Sequence, residues 1–539
     1  MPRGQPEGER ICTGDKRRLE ESATQLPGAG KHPQKKGCSE TSSSLCWLKD
    51  SSVDHRRVRC LTPARTQPNT LGKTVVCLLQ RDLRLQDNWA LLFAQEAALT
   101  LGTPLYVLHL VIPGHTFQPT IRHVSFHLSS LEEFATDLAN QSIGFRCIPI
   151  STADDDKAST CEARSCIEST VTELKPCLMV CDLMPLRRPS ELVKQAANVC
   201  VTKGQCPLYQ VDSHNIVPVW LASDKQEYSA RTFRVRVTRF LREFACEIPR
   251  IGQHPHKLQT EDGQTLKIPD ILNRLKLDHS VRLPSQWLPG SKAGLAALQE
   301  FCTRPRLLAY ASRNDPLERG QSGLSPWLHF GQLSSQRCLL TINSLGPGTK
   351  IGALAAAARE SFIEELVVRR ELAENFIFYN SKYDEIQGAP KWAQDTLNAH
   401  RGDKREHIYS LSHFEGAKTH EALWNAAQLQ LVHDGKMHGF MRMYWAKKIL
   451  EWAASPESAL KISLHLNDKY SLDGTDPNGV VGCMWSIAGV HDQGWAERPI
   501  FGKVRYMNLA GCKRKFSVDE FIRRTSVVAA TALKVAKKG

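Results

Sequence analysis

The chain has 539 residues, 41% of them apolar, which is enough to bury a core but too long for a single one, so two or more domains are expected. Seventy Lys and Arg against 56 acids give a formal charge of +14 and point to a polyanionic partner such as nucleic acid. Seventeen scattered cysteines with no CxxC pair argue against a disulfide scaffold or a paired-cysteine zinc module, and with no 18-residue apolar run or apolar leader the expectation is a soluble, reduced, intracellular protein without membrane contact.

Residues 1–72 are rich in Gly, Ser, Pro and charge and are expected to be disordered. They hold 13 Lys/Arg and 8 Asp/Glu, so nine of the fourteen excess positive charges lie in the rest of the chain. The clusters Lys16-Arg17-Arg18 and Lys35-Lys36 fit a nuclear address, although such runs in a tail are ordinarily just solvated.

From Thr74 the pattern changes. TVVCLL (74–79) is a short continuous apolar run of the kind that forms a strand buried on both faces. A helical stretch follows from Asn88 to Gly102, then a strand at 104–111 and a helix over 123–142. Strands at 145–150, 177–182 and 207–212 alternate with further helical segments, the last at 188–204. Five strands with helical crossovers predict a doubly wound parallel α/β domain over 73–212. Ligands of such sheets sit beyond the carboxyl ends of the strands, where QRDLRLQDN (80–88) falls. No GxGxxG, GxxxxGK, HExxH or GxSxG occurs, which removes the standard dinucleotide, P-loop and simple hydrolase readings. Residues 213–290 read as an irregular linker. From 291 to 525 helical periodicity dominates and predicts a mostly helical second domain, with 526–539 as a tail.

Four features of the second domain carry candidate chemistry. Five of the 11 tryptophans fall between 424 and 495, and Trp445 and Trp452 share a helix face about 10 Å apart along the axis. Such indoles are core material or an electron relay, and spacing does not choose between these. LNDKYSLDGTDPNG (466–479) is a polar turn whose DxD spacing lacks the glycine and terminal glutamate of a calcium loop. In ARESFIEELVVRREL, Glu364, Glu365, Arg369 and Arg370 are set for i,i+4 pairing, and apolar neighbours bring at least one of these charges near the interior, where a carboxylate with a raised pKa could donate a proton. The C-terminal stretch from Phe501 holds seven Lys/Arg against two acids, interleaved with aromatics, which suits phosphate contacts.

Read together, EELVVRRELAENFIFYN (364–380), GKMHGFMRMYWAKKILEW (435–452), LSPWLHFGQLSSQR (324–337) and the long stretch 466–508 closely resemble the class II cyclobutane pyrimidine dimer photolyases, and the resemblance spans roughly 73–525. It implies a light-driven DNA repair enzyme with one non-covalent FAD, active in its reduced anionic form, in the helical domain, and an antenna-type α/β domain that in some members holds a second chromophore. It further implies that Tyr310, Ser322, Gly323, Leu324 and Ser325 surround the flavin phosphates and ribityl chain. Asn467 would face flavin N5, with Arg442 and Asp473 flanking the ring and Asp476 in the same turn. Trp445, Trp424 and Trp452 would form the electron-transfer chain. Glu365 and Trp485 would meet the flipped dimer, Met443 would line the cleft, and Lys513, Arg514 and Lys515 would contact DNA. The partner is then dimer-containing DNA, with no obligate protein partner, a monomeric state and a nuclear address. Two departures stand out: QRDLRLQDN is similar to the first loop of other photolyase classes, which bears on the antenna pocket, and VHDGKMHG carries His433 and Asp434. The alternatives are a cryptochrome-like signalling flavoprotein, a (6-4) photolyase, which would want a histidine pair of which only His491 is a candidate, and a small-molecule flavin oxidoreductase.

Overall fold

A computed structural model describes residues 45–112, 119–150, 156–257, 267–346 and 355–536. The first layer is built on a six-stranded sheet: β1 (Val58–Cys60), β2 (Thr74–Leu78), β3 (Leu105–Val111), β4 (Gly144–Pro149), β5 (Pro176–Asp182) and β6 (Leu208–Val211), in the order β1-β6-β5-β2-β3-β4. Five strands run parallel as expected, and the order reverses at β2, so the carboxyl ends of β2 and β5 form the switch point. The apolar run in β2 serves two cores. Val75, Cys77 and Leu79 pack under the helices Trp89–Leu101 and Ile121–Asn140, whereas Val76 and Leu78 pack under Asp156–Leu174 and Arg187–Val199. Asn88 starts the first of these helices by accepting N–H bonds from Ala90 and Leu91, and Gly102 ends it at φ +62°.

Three sequence expectations change. Of the extension expected to be disordered, residues 1–44, with both basic clusters, lie outside the described residues, but 45–72 are ordered. Leu45, Leu48, Val53 and Val58 are buried, and β1 pairs antiparallel with β6. One of the arginines in this stretch is itself taken into the core: Arg57 is 1% exposed, lies between Trp89 and Phe244, and donates to the carbonyls of Asp212 and Asn215. The linker 213–290 contains the helix Ala230–Phe244, whose five arginines dilute its apolar face of Phe233, Val237 and Phe244. At the other end, the helix Val518–Ala536 runs through the boundary drawn at 526.

The second layer is helical, and its main core gathers the helices Ala422–Asp434, Gly439–Trp452, Pro456–Tyr470 and Pro477–Ala488 around Trp424, Tyr444 and Trp445. A long helical run from Ala356 to Tyr379 passes through a π-turn at Glu364–Arg369. The two layers meet at the loop after β2. Asp182, at the end of β5, accepts the backbone N–H groups of Gln80, Arg81 and Asp82, which fixes that loop. Gly331 of the helical layer, at φ +63°, presses on it so closely that a Cβ there would lie 2.0 Å from the Arg81 carbonyl oxygen. No helix among the described residues is long and apolar enough to cross a membrane.

Candidate active site

Three elements bring a polar cluster together. The helix Gly439–Trp452 presents Arg442, the helix Pro456–Tyr470 presents Asn467, and the turn that follows supplies Ser471 and Asp473. Arg442 donates to Asn467 Oδ1 at 3.2 Å and to Ser471 Oγ at 3.3 Å, and its Nη2 lies 3.5 Å from Asp473 Oδ1. Lys436 lies 3.2 Å from the other oxygen of Asp473 and also donates to Ser325 Oγ. Burial pushes the Asp473 carboxyl up, but Lys436 and Arg442 outweigh it and hold the group well below the usual carboxylate range. Burial lowers Lys436, and its partner Asp473 opposes that shift. Two cations therefore share one carboxylate, leaving a net positive charge largely shielded from water. That donor set, with the serine hydroxyls, fits an electron-rich or anionic group such as a reduced flavin or a pyrophosphate. Gly323, at φ +76° beside Ser325, has open space where a Cβ would stand. The residues present thus fit FAD.

Asn467 is held at both ends, since its Nδ2 donates to Asp468 Oδ1 at 2.9 Å. Asp476, in the same turn as Asp473, has its carboxylate engaged by other partners. It caps the helix Pro477–Ala488 through the Asn478 N–H, and its second oxygen meets Arg81 at 3.1 Å and His329 at 3.0 Å. Arg81 also pairs with Glu374 at 2.8 Å, so Asp476 belongs to a buried clamp between the loop after β2 and the helical layer. Burial pushes Asp476 up, but His329 and Arg81 override it and hold it far below the ordinary range.

The tryptophans form a continuous row. Trp445 and Trp424 stack with ring centroids 6.3 Å apart at 7°, and Trp424 meets Trp452 edge-on at 6.2 Å. Trp424, from the neighbouring helix, bridges the gap along one helix that separates the other two. Each indole is buried, Trp424 donates to the Trp445 carbonyl at 3.0 Å, and Trp445 donates to Gln428 at 2.9 Å. Beyond Trp452 the aromatic run continues to Tyr409 and the exposed His420. Arg442 and Trp445 lie on the same helix, so the row starts beside the polar cluster.

The remaining candidates spread over a neighbouring face. Glu365 is exposed, with Arg313 at 3.7 Å, and Arg313 also sits 5.2 Å over the buried ring of Tyr310. Tyr310 is therefore beside Glu365 and packs on Phe301 and Phe362, and burial raises its hydroxyl. The carboxylates buried in the 364–374 segment are Glu371, pushed up to about 8 by burial, and Glu374, also raised by burial; Glu364 is held low on balance by Arg234. Trp485 is half-buried between Lys447, 4.8 Å from its ring centroid, and Arg505, at 5.5 Å. Met443 packs partly buried against the core that holds the tryptophan row. Ser322 and Gly323 are half-buried, Leu324 is buried, and Lys513, Arg514 and Lys515 are exposed. His491 is half-buried against Phe376, and desolvation lowers it to about 3, so it is neutral near pH 7.

Sequence reasoning missed Lys436, Ser471 and the Arg81–Glu374–His329 set. Lys436 stood inside a quoted motif, and Glu374 inside an apolar helix stretch (ELAENF), which was the available signal of a buried charge. A cavity of about 170 Å³ opens next to the clamp, beyond the carboxyl ends of β2 and β3, with His109, His123, His127, His329 and Phe330 in its wall.

The family model for DNA photolyase matches residues 75–256. Among solved structures, a bacterial class III photolyase from Agrobacterium tumefaciens superposes with a TM-score of 0.63 at 18% identity, covering 84% of this chain and 86% of its own. The fold is that of the photolyases. A deoxyribodipyrimidine photo-lyase from Potorous tridactylus is 46% identical over 84% of this chain and 82% of its own, and one from Oryza sativa subsp. japonica is 44% identical over 86% and 89%. The chain belongs to the deoxyribodipyrimidine photo-lyase family, and its motifs place it with the class II members.

Proposed function

We propose that this protein is a light-dependent DNA repair enzyme that splits cyclobutane pyrimidine dimers back to monomers, with no net oxidation or reduction. The observation that carries the reading is the unbroken row Trp445–Trp424–Trp452, which begins on the helix that also presents Arg442 to Asn467 and Asp473. FAD in its reduced anionic form would supply the blue-light-driven electron to the dimer. Arg442 and Lys436 would hold positive charge beside the bound flavin, Asn467 would offer its amide to ring N5, and Ser325, with the Ser322–Leu324 turn, would line the ribityl and phosphate side. The tryptophan row would carry electrons inward from Trp452 to an oxidised cofactor. On the DNA side, Glu365 accepts hydrogen bonds from the extruded bases, Trp485 forms an apolar wall and Met443 fills beside it. A thymine dimer stacks and pairs poorly, so its extrusion costs less than that of an intact base. The exposed Lys513, Arg514 and Lys515 contact the phosphate backbone.

The α/β layer over 73–212 acts as the antenna domain and the helical layer over 291–525 as the flavin domain. The 170 Å³ cavity beyond the carboxyl ends of β2 and β3 is the place for a second chromophore. Arg81, in its wall, has buried Nε and Nη1 atoms without a partner among the described residues, so the ligand would bring acceptors such as ring carbonyls. The protein works as a monomer on nuclear DNA. The test is direct: purified protein with reduced FAD is illuminated on a dimer-containing oligonucleotide. Restoration of intact thymines in light and none in the dark supports the reading; bound flavin without repair of this lesion refutes it.

A further inference from the structure

Asn467 is oriented by two internal bonds, Nδ2 to Asp468 Oδ1 at 2.9 Å and Oδ1 from Arg442 Nη1 at 3.2 Å. A primary amide has two N–H groups and two lone-pair sites, so these bonds fix which end is which and leave one N–H and one lone pair for a ligand. Gly479 closes a further side, where a Cβ would stand 2.8 Å from Asn467 Nδ2. Asp468 Oδ1 also accepts the Thr475 N–H at 2.9 Å, tying the carboxylate to the turn that carries Asp473. Asp468 also has a second aspect. It lines a separate basin of about 540 Å³ between the start of the helix Arg187–Val199 and the helix Pro456–Tyr470. A carboxylate one hydrogen bond from Asn467 is thereby in reach of water from the other side of its helix.

We propose that Asp468 is a positioning residue for the flavin ring: it sets the orientation of the Asn467 amide, and its protonation from the basin switches the charge beside that amide. The inference rests on Asn467 facing the flavin. His329, Asp476, Tyr383 and Cys483 face Asp468 from the surrounding elements. Across the basin stand Arg187, Arg188, Asp384, Glu385, Lys461 and His465. Burial raises the Asp468 carboxyl to about 6, so the acid is neutral below that pH and anionic above it. A negative charge at this place disfavours the electron-rich reduced ring, so the flavin potential falls as Asp468 ionises.

The experiment measures the midpoint potential of the bound flavin against pH in the holoenzyme, for the wild type and for D468N, D468A and N467A. Asparagine at 468 still offers an oxygen to Asn467 Nδ2 but carries no charge. The wild-type profile has an inflection near pH 6, D468N loses it and has the higher potential at pH 8, and D468A, which also frees the amide, reoxidises in air faster than D468N. An inflection that persists in D468N overturns the proposal. Wild-type potential and reoxidation in N467A would instead overturn the Asn467 reading beneath it. Should D468N fail to hold flavin, Lys461→Glu puts a negative charge in the basin and moves the inflection to higher pH; an unmoved inflection sinks the proposal.

Discussion

Arg81 offers the sharpest test of how the two layers are joined. Its guanidinium meets Glu374 at 2.8 Å and Asp476 at 3.1 Å, and the side chains of Arg81 and Glu374 are each 1% exposed. Arg81→Met keeps much of the bulk and removes the charge, leaving Glu374 with no cation at that distance while Asp476 retains His329. Breaking a buried pair by removing one partner costs about 3–5 kcal/mol. Part of this is relieved when Glu374 takes up a proton. Burial already raises Glu374, and loss of Arg81, which opposes that shift, raises it further. The native variant then binds more protons than its unfolded chain above the ordinary glutamate range, so its stability falls as pH rises. Guanidinium unfolding at pH 5.5 and pH 8 reads both effects: the deficit is larger at pH 8. In the cycle with Glu374→Gln, the double variant recovers a large part of the loss, because the stranded charge is gone. A single variant within about 1 kcal/mol of wild type at both pH values, or a deficit that grows on acidification, would refute a clamp whose worth lies in compensating buried carboxylates.

Trp424→Phe removes the stacked indole and its 3.0 Å bond to the Trp445 carbonyl; light-driven reduction of oxidised flavin should fall at least about tenfold while chemically reduced enzyme repairs normally, at a stability cost of roughly 1–3 kcal/mol. Wild-type photoreduction in that variant would remove Trp424 from the row. Glu365→Ala should lower repair yield more than affinity for dimer-containing DNA, and an equal loss in both would make it a DNA contact only. Gly331→Ala, at φ +63° and with its Cβ 2.0 Å from the Arg81 carbonyl oxygen, should destabilise by about 3 kcal/mol or more, since both the backbone conformation and the contact oppose it. A neutral melting temperature there would mean that the loop after β2 yields easily.

Much of the fold was legible because it rests on patterns local to the chain. The β2 run is apolar throughout since its two faces enter two cores, and Asn88 and Gly102 mark their helix by cap chemistry. What escaped was order maintained by distant partners. Arg57 is polar in sequence and 1% exposed in the fold, because carbonyls about 155 positions away receive its protons. The site divides in the same way. Arg442, Asn467, Asp473 and the three tryptophans lie in sequence motifs, and the fold sets the first three in one polar cluster and the tryptophans in one row. Asp476 lay in the same motif, yet its carboxylate is taken by Arg81 and His329, and no local pattern announces a pair separated by 395 positions.

The strand β1 has a meaning beyond adding three residues to a sheet. It lies along the outer margin of β6, where an unpaired row of N–H and C=O groups would otherwise face solvent. Exposed margins of that kind recruit strands from other molecules. The segment 45–60 therefore replaces the margin of β6 with an edge strand of three residues, and a chain shortened past Cys60 would uncover that margin together with the core that Leu45, Leu48, Val53 and Val58 cover.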